Sequence, residues 1–111
     1  MATVFLNGSF VSADEARVSA FDAGLTHGVG LFETMSARKN DAGEFEVVRL
    51  LDHIDRLGES AKQLRLTTDL RRPALAEAVK RTAARCGLDR QRIRLTITGG
   101  ELNPLAAAKN G

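Results

Sequence analysis

The strongest constraint in this chain is a change of hydrophobic period near Leu51. Upstream, apolar residues tend to alternate with polar ones; then Leu51, Ile54, Leu57, Ala61 and Leu64 recur at three- and four-residue intervals. Alternation sends side chains to opposite faces of a strand, whereas the longer spacing builds one stripe along a helix. Alternation returns over residues 93–98. Strands, then two helices, then a strand predict an α+β fold: an antiparallel sheet of hairpins with two helices packed on it. At 111 residues the chain fits one domain, and a domain of this size buries roughly 60–70% of its extended surface, enough for one core.

The punctuation places the elements. Residues 3–6 read as a short strand, Asn7-Gly8 as a two-residue hairpin turn, and residues 9–12 as the returning strand. Residues 13–16 form a polar connection, and residues 18–21 a further short extended piece. A glycine-spaced loop follows over residues 22–30, with Gly24, Gly28 and Gly30 suited to positive φ or close backbone approach. Residues 31–38 and 44–50 form an antiparallel pair about a turn at 40–43. The first helix is expected over residues 52–64 with Asp52 as its N-cap. Thr67, Thr68 and Asp69 break the pattern, Pro73 opens the second helix and Gly87 ends it. Leu75, Val79 and Cys86 supply its inner stripe, with Ala74, Ala76, Ala78, Ala83 and Ala84 as helix formers. Residues 1–98 then form the domain, and residues 99–111 read as an interdomain linker or the start of a missing C-terminal domain.

Composition narrows the function classes. The chain has 16 basic and 14 acidic residues, for a net charge of +2. Arginines dominate the basic residues, clustering at Arg90, Arg92 and Arg94 with Arg71, Arg72, Arg81 and Arg85 upstream. Nucleic-acid binding would call for aromatics beside them for stacking. The five Phe are the only aromatics and none lies beyond Phe45, so solvated helix faces are the better account and no nucleic acid is expected. No apolar run approaches the roughly 18–20 residues of a membrane span, and the N-terminus lacks a secretory pattern. The single Cys86 precludes an intramolecular disulfide and points to a reducing, cytoplasmic compartment. One Cys and two His do not make the usual zinc ligand set, so no metal is expected.

Few residues offer chemistry. The glycine loop is neither a Walker loop, having no Lys-Ser or Lys-Thr after it, nor a dinucleotide fingerprint, since it precedes a strand. It is either a tight connection or a backbone that closes over a ligand. His27 within it is a surface residue, or an anion ligand or proton carrier titrating near neutrality. His53 sits beside the apolar stripe and reads as helix packing or partial exposure. Glu33 shares a strand side with Leu31 and Met35, where a carboxylate needs a partner. It is either ion-paired to a neighbouring arginine or a site acid with a raised pKa. Arg56 falls on the far side of the helix from Ile54 and Ala61, facing solvent or gripping a phosphate with two parallel hydrogen bonds. Cys86 reads as a small core residue.

Taken in order, Phe5-Leu6-Asn7-Gly8, Val18-Ser19-Ala20-Phe21-Asp22-Ala23-Gly24, Gly28-Val29-Gly30-Leu31-Phe32-Glu33-Thr34, His53-Ile54-Asp55-Arg56-Leu57, Ser60-Ala61-Lys62 and Arg92-Ile93-Arg94-Leu95-Thr96 resemble the class IV aminotransferase family. These are the fold-type IV pyridoxal-phosphate enzymes, including branched-chain and D-amino-acid aminotransferases and aminodeoxychorismate lyase. The resemblance covers about Phe5 to Thr98 and implies the N-terminal domain of that architecture. It implies that Arg56 binds the cofactor phosphate and that Phe32 lines the substrate pocket. His27 falls, also near the substrate, where relatives often carry Tyr or Phe. Glu33 matches a common acidic position. The family's reactive lysine belongs to a second domain; Lys109 does not match its flanks and spacing and is not assigned, so no catalytic residue is identified. Pyridoxal 5'-phosphate is the implied cofactor and a homodimer the implied assembly. The implied substrates are an amino acid with a 2-oxo acid, or aminodeoxychorismate. The alternative is a stand-alone binding domain that kept the fold and lost the chemistry; an enzyme portion would instead leave an apolar face bare where its other domain packs.

Overall fold

The structure, a computed structural model, describes residues 2–66 and 70–100. Asn7 and Gly8 take φ of 49° and 93°, as a tight hairpin turn between twisted strands requires. They join β1 (Val4–Leu6) to β2 (Ser9–Val11). Phe5 and Phe10 sit opposite each other with their rings 5.0 Å apart, edge to face. The guanidinium groups of Arg85 and Arg81 lie 4.6 Å and 5.7 Å from the Phe10 ring centre, docking this hairpin against the second long helix.

The expected sheet of hairpins divides in two. The β1–β2 hairpin stands apart from a three-stranded antiparallel sheet in which β3 (Gly30–Lys39) lies between β4 (Phe45–Val47) and β5 (Arg90–Thr98). Residues 18–21 are not a strand: the Ser19 carbonyl accepts from Asp22 N and the Ser19 hydroxyl from Phe21 N, which bends the chain. The glycine loop contains one helical turn, α1 (Ala23–Thr26), because Asp22 Oδ1 caps Gly24 N at 2.7 Å. Asp22 Oδ2 also accepts from Thr98 Oγ1 at 3.0 Å. A Cβ on Gly24 would sit 2.7 Å from Thr98 Cγ2, so close approach to the end of β5 explains that glycine. Gly28, at φ 67°, supplies the positive φ.

The first long helix, α2 (Leu50–Gln63), starts two residues earlier than its periodicity suggests. Asp52 is not its N-cap; Arg49, at φ 54°, turns the chain out of β4, and Asp52 lies in the first helical turn, where its charge suits the helix dipole. The inner stripe is therefore Leu50, Ile54, Leu57 and Ala61, while Leu51 and Leu64 are 68% and 56% exposed. The second helix, α3 (Arg72–Cys86), has Pro73 in its first turn and Gly87 at its C-cap. Its buried residues are Ala76, Val79 and Ala83, with Leu75 and Cys86 only partly buried. Ala76 and Ala83 thus serve as core residues, their small side chains letting α3 lie close to the sheet, while Ala74 and Ala84 are exposed. Arg72 ties the helices together, bonding Asp55 at 3.1 Å and Glu59 at 3.2 Å on α2. The core between helices and sheet joins Met35, Ala37 and Ile93 to Leu50, Ile54, Ala76, Val79 and Ala83. Arg90, Arg92 and Arg94 lie on exposed positions of β5 rather than on a helix face, because strand alternation turns them away from that core.

The register of α2 has a direct consequence. Ile54→Ala is expected to destabilise the chain by about 2–5 kcal/mol, and Leu51→Ala by under about 0.5 kcal/mol. Urea unfolding of the two variants checks this; equal losses would mean that the stripe runs through Leu51 instead.

Candidate functional site

The alternation of β3 puts Glu33 on the inner face with Leu31, Met35 and Ala37, beneath α2. On α2, His53 and Arg56 are three residues apart and share a helix face. The carboxylate of Glu33, only 10% exposed, meets both. Arg56 Nη2 donates to Oε1 at 2.6 Å, and Arg56 Nε to Oε1 and Oε2 at 3.1 Å each. His53 Nδ1 lies 2.7 Å from Oε1. An ionised carboxylate only accepts, so Nδ1 is the donor in that state. Arg56 remains 68% exposed, against 21% for His53. The cluster thus runs from a partly buried acid to a guanidinium open to solvent.

The hydrogen bond from Arg56 is the main cause holding the Glu33 carboxyl below its ordinary pKa; burial opposes it, and the His53 bond and the charges of both partners add to it. The same bond raises the pKa of Arg56. Glu33 is therefore the ion-paired residue of the two alternatives and not a site acid with a raised pKa. Without these partners, a carboxylate on an apolar face would carry a large desolvation cost.

The opposite face of the sheet holds a different set. Phe32 is 55% exposed, and the Arg94 guanidinium stacks 4.0 Å from its ring centre. The two are diagonal neighbours, since Phe32 sits opposite Thr96 and Arg94 opposite Thr34. This contact was not visible in the sequence, because it needs the pairing register. The Glu33–His53 bond was also missed; the signal lay in His53 and Arg56 at helical spacing above an inward acid. His27 is exposed at the C-cap of α1, its N–H bonded to the Ala23 carbonyl. Among the described residues, no hydrogen bond or ring contact joins His27 or Phe32 to Arg56, and Phe32 leaves the strand from the face opposite Glu33. Lys109 and the break at residues 67–69 lie outside the described residues.

The lowered pKa of Glu33 fixes a sign. The unfolded chain binds this proton more readily than the folded one, so the stabilisation is complete above the ordinary value of 4.5 and is lost as pH falls through the lower folded value. Urea midpoints measured from about pH 7 down to pH 3 should fall less steeply with acid in Glu33→Gln, which has no proton to take up. An identical slope in the variant would show that the pair contributes nothing to acid lability.

The family model described as Amino-transferase class IV matches residues 30–110 of this chain. A putative branched-chain-amino-acid aminotransferase of Methanocaldococcus jannaschii is 38% identical over 97 residues, covering 87% of this chain and 32% of the relative. A D-alanine aminotransferase of Staphylococcus epidermidis is 33% identical over 81 residues, covering 73% of this chain and 27% of the relative. Among solved structures, the T.th. branched-chain amino acid aminotransferase complexed with N-(5'-phosphopyridoxyl)-L-glutamate superposes with a TM-score of 0.82 at 29% identity, covering 92% of this chain and 34% of that one. The branched-chain aminotransferase of Thermoproteus uzoniensis does so with a TM-score of 0.77 at 31% identity, covering 93% and 35%. The chain thus spans less than a third of the length of these curated relatives. The family-model match and the shared identity agree with the mixed helix and antiparallel-sheet fold, and the chain belongs to the class IV aminotransferase family.

Proposed function

We propose that this chain supplies the N-terminal domain, residues 1–98, of a pyridoxal-phosphate-dependent aminotransferase that moves an amino group between an amino acid and a 2-oxo acid. The observation that carries the reading is Arg56: an exposed guanidinium with one edge held by a partly buried carboxylate and donors left over for an anion. Such a group fits the phosphate of the cofactor, to which Arg can offer parallel hydrogen bonds. The relative complexed with N-(5'-phosphopyridoxyl)-L-glutamate supports the choice of cofactor. Bound pyridoxal phosphate supplies an electron sink for amino-group chemistry.

The roles left to this chain are binding and shaping. Arg56 anchors the phosphate. Phe32, its ring held by Arg94, forms a substrate-side wall, and His27, in the loop that leads into β3, is the second substrate-side residue. The exposed Phe21, Leu25 and Phe32 support a second domain or a second copy covering this end of the fold. The reactive lysine then comes from that second domain and the working assembly is a homodimer. The single cysteine fits a cytoplasmic setting.

The test joins the chain to the polypeptide encoded downstream and follows the visible absorbance of bound pyridoxal phosphate. Arg56→Ala should weaken cofactor affinity by on the order of tenfold or more, as loss of a charged hydrogen-bond donor does. Unchanged affinity would remove Arg56 from the phosphate site, and no cofactor binding by the unmutated pair would end the enzyme reading.

A further inference from the structure

We propose that Glu33 is a positioning residue: it holds the Nε–Nη2 edge of Arg56 so that the remaining edge of the guanidinium is presented to the cofactor phosphate. The inference rests on the phosphate reading above and adds a residue that the resemblance left without a role.

Three distances carry it. Arg56 places Nη2 at 2.6 Å and Nε at 3.1 Å from the same carboxylate oxygen, with a further 3.1 Å contact to the second oxygen. A guanidinium is planar, so fixing one edge fixes the direction of the others. Among the described residues, Glu33 is the only hydrogen-bond partner of this guanidinium. The holder is itself held. Glu33 is 10% exposed, its backbone pairs with Leu95 inside the sheet, and His53 bonds Oε1 at 2.7 Å. A side chain that is 68% exposed would otherwise sample many rotamers and lose that freedom on binding.

Charge argues the other way, and this makes the inference sharp. The carboxylate cancels much of the positive charge that a phosphate would see. If Glu33 merely neutralised Arg56, its removal would strengthen phosphate binding. If Glu33 orients Arg56, its removal weakens binding even though the site gains a positive charge.

Two measurements decide between these. The first is pyridoxal-phosphate affinity in the chain joined to its downstream polypeptide, for Glu33→Ala and the near-isosteric Glu33→Gln. Positioning predicts affinity weaker by roughly tenfold in Glu33→Ala, with a smaller loss in Glu33→Gln, which keeps one acceptor oxygen. Equal or tighter binding in both variants overturns the proposal; should Glu33→Ala fail to fold, Glu33→Gln alone decides. The second is the order of the Arg56 Nε–H bond, read by 15N relaxation in the chain as it stands. It should be rigid in the unmutated protein and mobile in Glu33→Gln; a bond equally mobile in both also overturns the proposal. Arg56→Ala separates the two readings. If it leaves cofactor affinity unchanged, the phosphate reading fails, and positioning toward phosphate fails with it even where the relaxation data show an ordered guanidinium. If Arg56→Ala weakens binding and the Glu33 variants do not, only the positioning claim falls.

Discussion

β3 and β5 pair antiparallel from Gly30 opposite Thr98 to Arg38 opposite Arg90. The remaining structure depends on that register, because a slip by one residue would turn every side chain of one strand to the other face. It sends Met35, Ala37 and Ile93 into the core, and with them Glu33. It brings Arg94 diagonally onto Phe32. At one end it carries Thr98 to Asp22, so that α1 and the glycine loop close against the finish of β5. Gly99 N bonds the Val29 carbonyl, and Ala23 N bonds the Gly100 carbonyl at 2.7 Å. At the other end, Arg38 faces Arg90 directly, and Glu46 on β4 offsets that repulsion with an exposed contact of 3.6 Å to Arg38.

The same register gives the sheet two chemically different faces. Beneath α2, one acid bridges a histidine and an arginine, and the arginine reaches solvent. The other face carries the stacked Phe32–Arg94 pair in the open. The two sets do not touch among the described residues.

Much of this was legible beforehand, where one local rule acts alone. The Asn7-Gly8 turn, the alternation of β3, Pro73 at the start of α3 and Gly87 at its end all follow from backbone geometry and spacing. Arg56 was legible only through resemblance; its own spacing placed it merely on the outer side of a helix. The errors arose where tertiary contacts outweighed local pattern. Leu50 rather than Leu51 entered the stripe, because the left-handed turn at Arg49 set the helix two residues earlier. Ala76 and Ala83 became core residues through close approach of α3 to the sheet, which propensity does not report.

The sequence by itself determined the first hairpin, the long strands and the two long helices with their order, the inward direction of Glu33 and the family to which the motifs point. Each of these is a property of neighbours along the chain. Only the tertiary structure decided which alternative Glu33 realises. Its answer is a carboxylate shared by His53 and Arg56, with the Arg56 hydrogen bond holding its pKa below the ordinary value rather than above it. That outcome needed β3 and α2 at a particular rotation and height, set by Leu50, Ile54 and Leu57 seating in the core. Burial and pairing across about 20 residues of separation decide a carboxylate's charge, and neither is written in the spacing of any one segment.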